Sequence, residues 1–329
     1  MELLRKINSQ AKTEINTGFG TNSSDYGGRF VNKDGNANIE KKGIGFLERI
    51  SWYHSLLAMP RWKFFSVIFL FFIAVNLVFA FIYYIIGIEH LGGVVPRSPL
   101  EDFVEAFFFS CQTFSTVGYG RISPVGYTIT SIAALEGFLG PLSFALATGL
   151  LFGRFAKPTA YLKFSENAVI APYQGGTALM FRIAPHKNTT LLDADAKVNL
   201  AMVVEENGKM VNKFFPLTLE FNSVTALTLS WTVVHPITPE SPLYNFTKED
   251  FSSNRGEVLI FIKAFDDMFS NIVVARTSYI FSEIVFGAKF RPMYKSSEDN
   301  QKTILHLDKI NSFDPADISY AYNAEKATS

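Results

Sequence analysis

The hexapeptide Ser115-Thr116-Val117-Gly118-Tyr119-Gly120 lies between two long apolar stretches of the chain. Its two glycines can adopt left-handed backbone angles that alternate with ordinary ones, so successive carbonyl groups can face one axis. The preceding residues Ser98-Pro99-Leu100-Glu101 form a capping-box pattern and predict a short helix over about 99–114. A short helix followed by irregular backbone is tolerated at membrane depth only inside protein or beside a water-filled pore.

The two flanking stretches are long and apolar enough to cross a membrane. Residues 64–86 contain no charged residue, and residues 122–155 contain only Glu136 and Arg154. A helix of either length can span a hydrocarbon core of roughly 30 Å. The sequence therefore predicts two transmembrane helices, with the hexapeptide in the segment between them.

The composition agrees with a membrane protein and excludes several function classes. Lys and Arg number 30, as do Asp and Glu, so no basic excess indicates nucleic-acid binding. Aromatic residues make up 15% and charged residues only 18% of the chain. Cys111 is the only cysteine, so neither an intrachain disulfide nor a paired-cysteine zinc site can form. No nucleotide-binding motif or catalytic triad pattern occurs, and we expect neither an enzyme nor an organic cofactor.

The basic residues predict the orientation in the membrane. Residues 1–63 contain ten Lys or Arg, whereas the loop at 87–121 contains only Arg97 and Arg121. The positive-inside rule then places both termini in the cytoplasm, in a multi-pass protein of the plasma (inner) membrane. At the cytoplasmic interface a basic residue either attracts anionic lipid, by about 1 kcal/mol, or only determines topology. The basic residues at this interface are Arg61, Lys63, Arg154 and Lys157.

The sequence outside the two spans changes character twice. Phe46, Ile50, Tyr53 and Leu57 recur at helical spacing, which predicts an amphipathic helix along the inner membrane surface. After Pro158, short β-branched and aromatic runs separated by turn signals predict an all-β sandwich. The expected organisation is a mobile cytoplasmic tail (1–43), an amphipathic slide helix (44–60), a transmembrane pore domain (61–158) with an outer helix (about 63–86), a pore helix (about 99–114), a filter (115–120) and an inner helix (about 128–156), a cytoplasmic β-sandwich (159–313) and a polar tail (314–329).

The hexapeptide also indicates which ion is bound. Four copies around one axis would stack rings of carbonyl oxygens that replace the hydration shell of K⁺, and Thr-Val-Gly-Tyr-Gly is the sequence of known potassium filters. The alternative is a membrane loop whose glycines serve only its turns. The negative end of the preceding helix dipole would favour a cation in a central cavity. The candidate K⁺ ligands are the backbone oxygens of Thr116, Val117, Gly118 and Tyr119, with the Thr116 hydroxyl closing the inner site and Gly120 supporting the loop.

Further segments in both regions carry a family resemblance. They are Phe107-Phe108-Phe109-Ser110, residues 116–120, Pro124-Val125-Gly126, residues 145–150 (ALATGL), residues 154–158 (RFAKP), residues 230–237 (SWTVVHPI) and residues 241–244 (SPLY). Over about residues 45–310 the chain resembles the prokaryotic inward-rectifier potassium channels of the KirBac group. The resemblance implies a homotetramer with a slide helix, a re-entrant pore helix and an immunoglobulin-like cytoplasmic domain, which passes K⁺ down its gradient. It also implies anionic phospholipids or phosphoinositides as lipid partners, and polyamines or Mg²⁺ as pore blockers.

Two departures from the family pattern concern the filter and the cavity. Gln112 stands where many relatives have a pore-helix glutamate, so the ion pair often assigned behind the filter cannot form in that way. Glu136 on the inner helix can partly compensate, because an intramembrane carboxylate is usually paired or functional. The alternative is a carboxyl near the outer interface that reaches water. Phe144 aligns with the acidic position of strong rectifiers, which implies only weak to moderate block.

The resemblance also implies where the inner helix moves. Phe152 lies where the inner helices of the family converge, and four phenyl rings there could close a dewetting constriction. A lipid-facing or helix-packing phenylalanine is the alternative. Gly140 and Gly149 are the candidate hinges of the inner helix.

Other classes of protein fit the sequence less well. A membrane-anchored enzyme would need a polar catalytic constellation in the β region, and a non-conducting receptor or scaffold would have no need of the filter sequence. A two-span channel with a nucleotide-sensing domain is disfavoured by the strand-rich C-terminal region. The sequence therefore predicts a potassium-selective channel of inward-rectifier type, gated at the inner-helix crossing and by the cytoplasmic domain.

Overall fold

A computed structural model describes residues 13, 18, 28–43, 45, 51–156, 158–187, 189–206 and 209–318 of the 329-residue chain. The chain divides into two compact units, Lys42–Lys157 and Met1–Lys41 together with Pro158–Ser329. Residues 44 and 46–50 of the predicted slide helix, and the basic residue Lys157, lie outside the described residues.

Four α-helices form most of the described part of the membrane unit. They are α1 (Trp52–Ala58), α2 (Arg61–Ile86), α3 (Pro99–Phe114) and α4 (Tyr127–Phe155). Between them the strands β1 (Leu91–Gly92) and β2 (Ser123–Pro124) pair antiparallel. Both α2 and α4 are long and apolar enough to cross a membrane. At 16 residues, α3 is about 24 Å long and too short to do so.

Local sequence determines where α3 begins. The Ser98 hydroxyl accepts the N–H of Glu101 at 3.4 Å, and the Glu101 carboxylate accepts the N–H of Ser98 at 3.2 Å. Asp102 accepts the N–H of Arg97 at 2.9 Å. Pro99 occupies the first helical position, where no intrahelical donor is lost. The start of α3 is therefore capped, and two acids lie at the positive end of its dipole.

Small side chains let α2, α3 and α4 pack closely. Ala80, Ala106 and Ala133, one from each helix, are all buried in the same apolar cluster. Beside them the Tyr83 ring meets the Phe109 ring edge-on, with centroids 5.1 Å apart. This packing holds α3 between the two spanning helices.

The β-rich unit contains two five-stranded sheets. Their strands are β3 (Leu162–Phe164), β4 (Ala168–Tyr173), β5 (Gly176–Pro185), β6 (Leu191–Glu206), β7 (Lys209–Pro216), β8 (Ser223–Leu227), β9 (Trp231–Pro236), β10 (Gly256–Asp266), β11 (Asn271–Ile280) and β12 (Ile284–Phe286). One sheet has the order β11-β10-β6-β7 with β8 also on β6, and the other has the order β12-β4-β5-β3 with β9 also on β5.

One apolar core joins the two sheets. Leu179 and Phe181 from β5 are buried in it together with Leu200 from β6 and Ile260 from β10. This unit also contains a short helix, α5 (Lys248–Ser253), two 3-10 turns (Phe281–Glu283 and Leu307–Lys309), and two strand pairs, β13 (Ala288–Phe290) with β16 (Phe313–Pro315) and β14 (Tyr294–Ser296) with β15 (Thr303–Leu305).

The structure differs from the sequence prediction at both predicted tails. Residues 29–38, which we call the N-terminal strap, pack against the sandwich, so the prediction of a mobile tail does not hold for them. Phe30 and Val31 are buried in one cluster with residues of β6, β7 and β10. At the other end Asp314 lies in β16 and pairs with Arg291, so the predicted polar tail begins with an ordered strand. Residues 319–329 lie outside the described residues.

A buried carboxylate holds the N-terminal strap by its backbone. Glu257 Oε2 accepts the N–H of Phe30 at 2.5 Å, and Oε1 accepts the N–H of Val31 at 3.0 Å. The Ser278 hydroxyl donates to the Val31 carbonyl at 2.5 Å. These groups come from β10 and β11, more than two hundred residues along the chain, so no local sequence signal reveals the contact.

Replacing Glu257 with alanine is expected to loosen the N-terminal strap. The change leaves the N–H groups of Phe30 and Val31 buried without that acceptor, at about 1–3 kcal/mol for each group. We expect a lower unfolding temperature and faster tryptic cleavage after Arg29. Glu298→Ala, at an exposed carboxylate of the same unit, is the control and should change neither. Equal stability and cleavage in E257A and the parent would mean that the apolar contacts alone hold the strap.

Candidate functional site

The backbone φ angles of residues 116–120 in the hexapeptide alternate in sign. The φ angles of Thr116, Gly118 and Gly120 are 58°, 53° and 81°, whereas Val117 and Tyr119 have no positive φ. An alternation of this kind turns successive peptide groups so that their carbonyls can line one axis, as in a potassium filter. The sequence predicts left-handed angles at the two glycines but misses the third, at Thr116.

The carbonyls at the end of α3 accept hydrogen bonds from the N–H groups of this loop. The carbonyl of Gln112 accepts the N–H of Val117 at 2.9 Å and that of Gly118 at 3.3 Å, and the carbonyl of Thr113 accepts the N–H of Thr116 at 3.1 Å. These bonds offset the cost of a left-handed angle at the β-branched Thr116. The signal that could have found Thr116 is its position just after the C-cap residue Ser115, where helices commonly end in a left-handed residue that bonds to their last carbonyls.

The loop's own carbonyls are left available. Within the described residues, no backbone N–H donates to the carbonyl oxygens of residues 116–119. An ideal Cβ on Gly118 or Gly120 would meet no atom of this chain within 4 Å. The glycines are therefore required for backbone conformation and not for space within one subunit. The side chains of Val117 and Tyr119 are 51% and 80% exposed in the isolated chain.

Glu136 lies in a buried polar cluster behind the loop. The Tyr83 hydroxyl of α2 donates to Glu136 Oε2 at 2.5 Å, and the Ser110 hydroxyl of α3 contacts Glu136 Oε1. Ser110 Oγ is also 2.9 Å from Asn76 Oδ1. All four side chains are fully buried. The alternative of a carboxyl that reaches water near the outer interface does not fit this burial, and the sequence did not identify its partners Tyr83 and Ser110 or the Asn76 side chain beyond Ser110.

Gln112 is the predicted filter-support residue on α3. Gln112 is half-buried, and its contribution to the loop is the backbone carbonyl described above. Arg121, directly after the hexapeptide, forms an ion pair with Glu105 on α3. This pair joins the residue that follows the hexapeptide to α3. The sequence analysis predicts no ion pair at this position.

A groove of about 800 Å³ opens between α2, the end of α3 and α4. Its walls include Phe72, Phe114 and Phe144, and it extends to Thr116. The structure thus brings Phe144 and Thr116 to one largely apolar space. Phe152, nearer the end of α4, is 73% exposed in the isolated chain and does not line this groove.

The two candidate hinge glycines have different surroundings. A Cβ on Gly140 would lie 2.0 Å from the Phe114 carbonyl oxygen, so glycine at this position allows α4 to cross the end of α3. A Cβ on Gly149 would meet nothing within 4 Å. The helix α4 runs without interruption through both glycines and through Pro141. Close helix contact therefore accounts for Gly140 without invoking a hinge.

The described basic residues that were predicted at the cytoplasmic interface differ in whether their charge is exposed or bonded to the protein. Arg61 and Lys63 are exposed at the start of α2. The Arg154 guanidinium lies 3.4 and 3.5 Å from the carbonyls of Leu56 and Leu57 and 5.3 Å from the Phe64 ring centroid. Arg154 thus caps the carbonyl end of α1, where a cation is favoured by the helix dipole. Lys157 lies outside the described residues.

The β-rich unit contains no metal-binding cluster within the described residues. Its most strongly buried histidine, His235, lies between the Thr218 carbonyl at 2.6 Å and the Ser241 hydroxyl at 2.8 Å. Burial lowers the pKa of His235 to about 4, so the ring is neutral at physiological pH and both nitrogens are occupied by structural hydrogen bonds.

Both regions of the chain are similar in sequence to known proteins. The inward rectifier potassium channel C-terminal domain model matches residues 162–328, and an ion channel model matches residues 70–157. The inward rectifier potassium channel Kirbac3.1 of Paramagnetospirillum magnetotacticum is 32% identical over 283 residues, which cover 84% of this chain and 92% of that protein. ATP-sensitive inward rectifier potassium channel 12 of Mus musculus is 26% identical over 298 residues, which cover 83% of this chain and 69% of that protein.

The short helix α3 between two helices long enough to span a membrane, followed by a β-rich region, agrees with these matches to ion channels and not with an enzyme. The chain belongs to the inward rectifier potassium channel family. The predicted family and fold class are thereby confirmed, and the family implies K⁺ as the permeant ion. A likeness to the structure of Spo0M, a sporulation control protein from Bacillus subtilis, has a TM-score of 0.22 at 11% identity and covers 39% of this chain and 50% of that one, too slight to inform the fold.

Replacing Gly118 with alanine tests the need for left-handed backbone in the loop. The added Cβ costs about 1–2 kcal/mol in each chain at this angle, and we expect the loop to rearrange and K⁺ over Na⁺ selectivity to fall. Gly175→Ala is the matched control, because Gly175 also has a positive φ and open space around its Cβ but lies in a sandwich hairpin. Isotope flux from liposomes measures the outcome. Parental selectivity in G118A would contradict the role given to this backbone angle.

Proposed function

We propose that four copies of this chain form a passive, potassium-selective channel in the plasma (inner) membrane, with both termini in the cytoplasm. The observation that carries the proposal is the alternating backbone of residues 116–120: the N–H groups of 116–118 bond to α3, and within the described residues no backbone N–H donates to the carbonyls of 116–119. Carbonyl oxygens in this state suit a dehydrated monovalent cation. No covalent chemistry is needed, because ions move down their gradient.

The exposure of the loop supports assembly around a shared axis. A single loop supplies one carbonyl per layer, and a complete ring needs oxygens from several chains. Val117 and Tyr119 are exposed in the isolated chain, although apolar and aromatic side chains are usually covered in a finished pore. The large exposed phenylalanines of α4, among them Phe144 and Phe152, support the same conclusion.

The arrangement of α3 supports cation binding below the filter. The carbonyl end of this helix lies at residues 112–114 and carries the partial negative charge of its dipole. Four such ends around one axis would stabilise a cation in the cavity before it enters the filter. The candidate ligands remain the backbone oxygens of Thr116, Val117, Gly118 and Tyr119.

Gating is proposed at the cytoplasmic end of α4. Four copies of Phe152 would form an apolar ring that excludes water when the inner helices are close. Movement of the cytoplasmic domain would be transmitted to this ring, and Gly149, with open space around its Cβ, is the glycine better placed to allow bending. Phe152→Ala should widen the ring and raise basal flux.

Phe155→Ala is the matched control for the gate, because Phe155 is a similarly exposed phenylalanine one turn further along α4. We expect F155A to leave basal flux unchanged. Liposome flux of K⁺ measured without activating lipid separates the two variants. Equal flux in F152A and the parent would return Phe152 to a packing role.

Anionic phospholipids or phosphoinositides are the proposed modulators. Arg61, Lys63 and Lys157 offer positive charge at the inner membrane surface, where each adds about 1 kcal/mol of attraction. Arg154 contributes less to headgroup binding, since its guanidinium is engaged by the carbonyls of α1.

Ion flux from liposomes tests the proposed function directly. Purified protein is reconstituted with and without anionic phosphoinositide, and uptake of K⁺ or Rb⁺ is compared with uptake of Na⁺. We expect uptake of K⁺ and Rb⁺ that greatly exceeds uptake of Na⁺ and that changes with the anionic lipid. Protein-free liposomes are the control. A tetramer that passes no K⁺ with either lipid would overturn the proposal.

Block by cytoplasmic cations tests the role of Phe144. Polyamines or Mg²⁺ should block the parent only weakly to moderately, because no acid faces the cavity at this position. Phe144→Asp would place up to four carboxylates around the axis, each attracting a unit charge at about 6 Å by roughly 3 kcal/mol at a dielectric of 20. Repulsion keeps some of them protonated, yet about 1.4 kcal/mol suffices for tenfold tighter block.

Phe144→Asn is the control for this variant, because it changes size and polarity in a similar way without adding charge. We expect spermine block to tighten at least about tenfold in F144D relative to F144N. Voltage-clamped bilayers with spermine or Mg²⁺ on the cytoplasmic side give the measurement. Identical block in both variants would mean that residue 144 does not face the conduction path.

A further inference from the structure

The polar side chains around Glu136 share a small number of hydrogen atoms that can form hydrogen bonds. Four buried side chains are involved: Asn76 and Tyr83 from α2, Ser110 from α3 and Glu136 from α4. They make three contacts among themselves, namely Tyr83 with Glu136, Ser110 with Glu136 and Ser110 with Asn76. Each contact is between two oxygen atoms, so each needs one hydrogen atom to be attractive.

The orientation of the Asn76 amide is settled by its other neighbour. Asn76 Nδ2 donates to the Phe72 carbonyl at 2.7 Å, which leaves Oδ1 facing Ser110. A flipped amide would place two acceptor oxygens 2.7 Å apart. The Asn76 oxygen therefore needs a donor, and the Ser110 hydroxyl is the group within reach.

The Ser110 hydroxyl has only one hydrogen atom. If that atom goes to Asn76, the contact between Ser110 and Glu136 lacks one unless the carboxyl supplies it. If Glu136 were ionised, two acceptor oxygens would face each other in a fully buried site at one of the two contacts. No basic side chain contacts Glu136 within the described residues to offset a charge there.

We propose that Glu136 carries a proton and acts as a neutral positioning residue that ties the pore helix α3 to both spanning helices. Its O–H donates to Ser110, Ser110 donates to Asn76, and Tyr83 donates to the carbonyl oxygen of Glu136. Every contact then has one hydrogen atom. Among the described residues, the titratable groups that face Glu136 are Tyr83, in direct contact, and Cys111, which lies next to Ser110 on α3.

This hydrogen-bonded chain acts on the filter through α3. Ser110 lies two residues before Gln112, whose carbonyl accepts the N–H groups of Val117 and Gly118. Fixing Ser110 therefore fixes the acceptor that holds the filter backbone. The inference rests on the proposed function for its effect on selectivity, but the proton on Glu136 can be tested without any ion flux.

Two substitutions at Glu136 distinguish a neutral acid from a carboxylate. Glu136→Gln keeps one donor and one acceptor in nearly the same places, so K⁺ over Na⁺ selectivity should stay within about twofold of the parent. Glu136→Leu leaves the hydroxyls of Tyr83 and Ser110 without this partner, and selectivity should fall at least about tenfold. A variant E136Q as impaired as E136L would overturn the proposal.

Infrared spectroscopy of the full-length parent supplies an independent readout. The parent should show the C=O stretch of a buried protonated carboxylic acid at neutral pH, and E136Q should lack it. Glu298→Gln, at an exposed carboxylate, should leave that band in place. A parent spectrum from which E136Q removes only a carboxylate band would overturn the proposal.

The two proposals fail in different ways. If the parent passes no K⁺, the channel function is wrong, while the infrared band still decides whether Glu136 is protonated. If E136L does not fold, the comparison of E136Q with the parent by thermal unfolding and by infrared spectroscopy still decides the matter. We expect E136Q to unfold within a few degrees of the parent, and a large loss of stability would count against a neutral acid.

Discussion

A polar backbone group at membrane depth must be paired, because lipid offers no hydrogen-bond partner. Residues 115–120 meet this requirement in two parts. Their N–H groups at 116–118 bond to the last carbonyls of α3, and the carbonyls at 116–119, which accept no backbone N–H within the described residues, are the groups that the proposed axis would pair with ions. The rest of the membrane unit supports this loop, since α2 and α4 pack against α3 and the last carbonyls of α3 accept the N–H groups of the loop.

The features that the sequence predicts are those with a local cause. An uncharged run such as residues 64–86 has few other possible structures, and the Ser98–Glu101 capping box determines the start of α3 within a single turn. The left-handed angles at Gly118 and Gly120 are ones that glycine adopts without steric cost, and two glycines two residues apart are a visible sequence signal. These signals need no knowledge of which segments meet in space.

The features that the sequence misses depend on distant partners. Glu136 finds Tyr83, 53 residues away, and Phe30 finds Glu257, 227 residues away. Gly140 looks like a hinge in sequence, yet the Phe114 carbonyl beside it explains why no side chain fits. Thr116 adopts an angle that its side chain disfavours because the helix end before it holds the chain. Tertiary contact, and not local preference, decides each of these positions.

The carbonyls at 116–119 have an energetic consequence as well as a functional one. Oxygen dipoles that face a common axis repel one another, and Thr116 adds a strain of about 1–2 kcal/mol in each chain. A ligand that binds only the folded state stabilises it in proportion to the logarithm of its concentration. In the proposed tetramer the permeant ion is then also a structural component. Removing potassium from both sides of the membrane would destabilise the tetramer as well as stop transport.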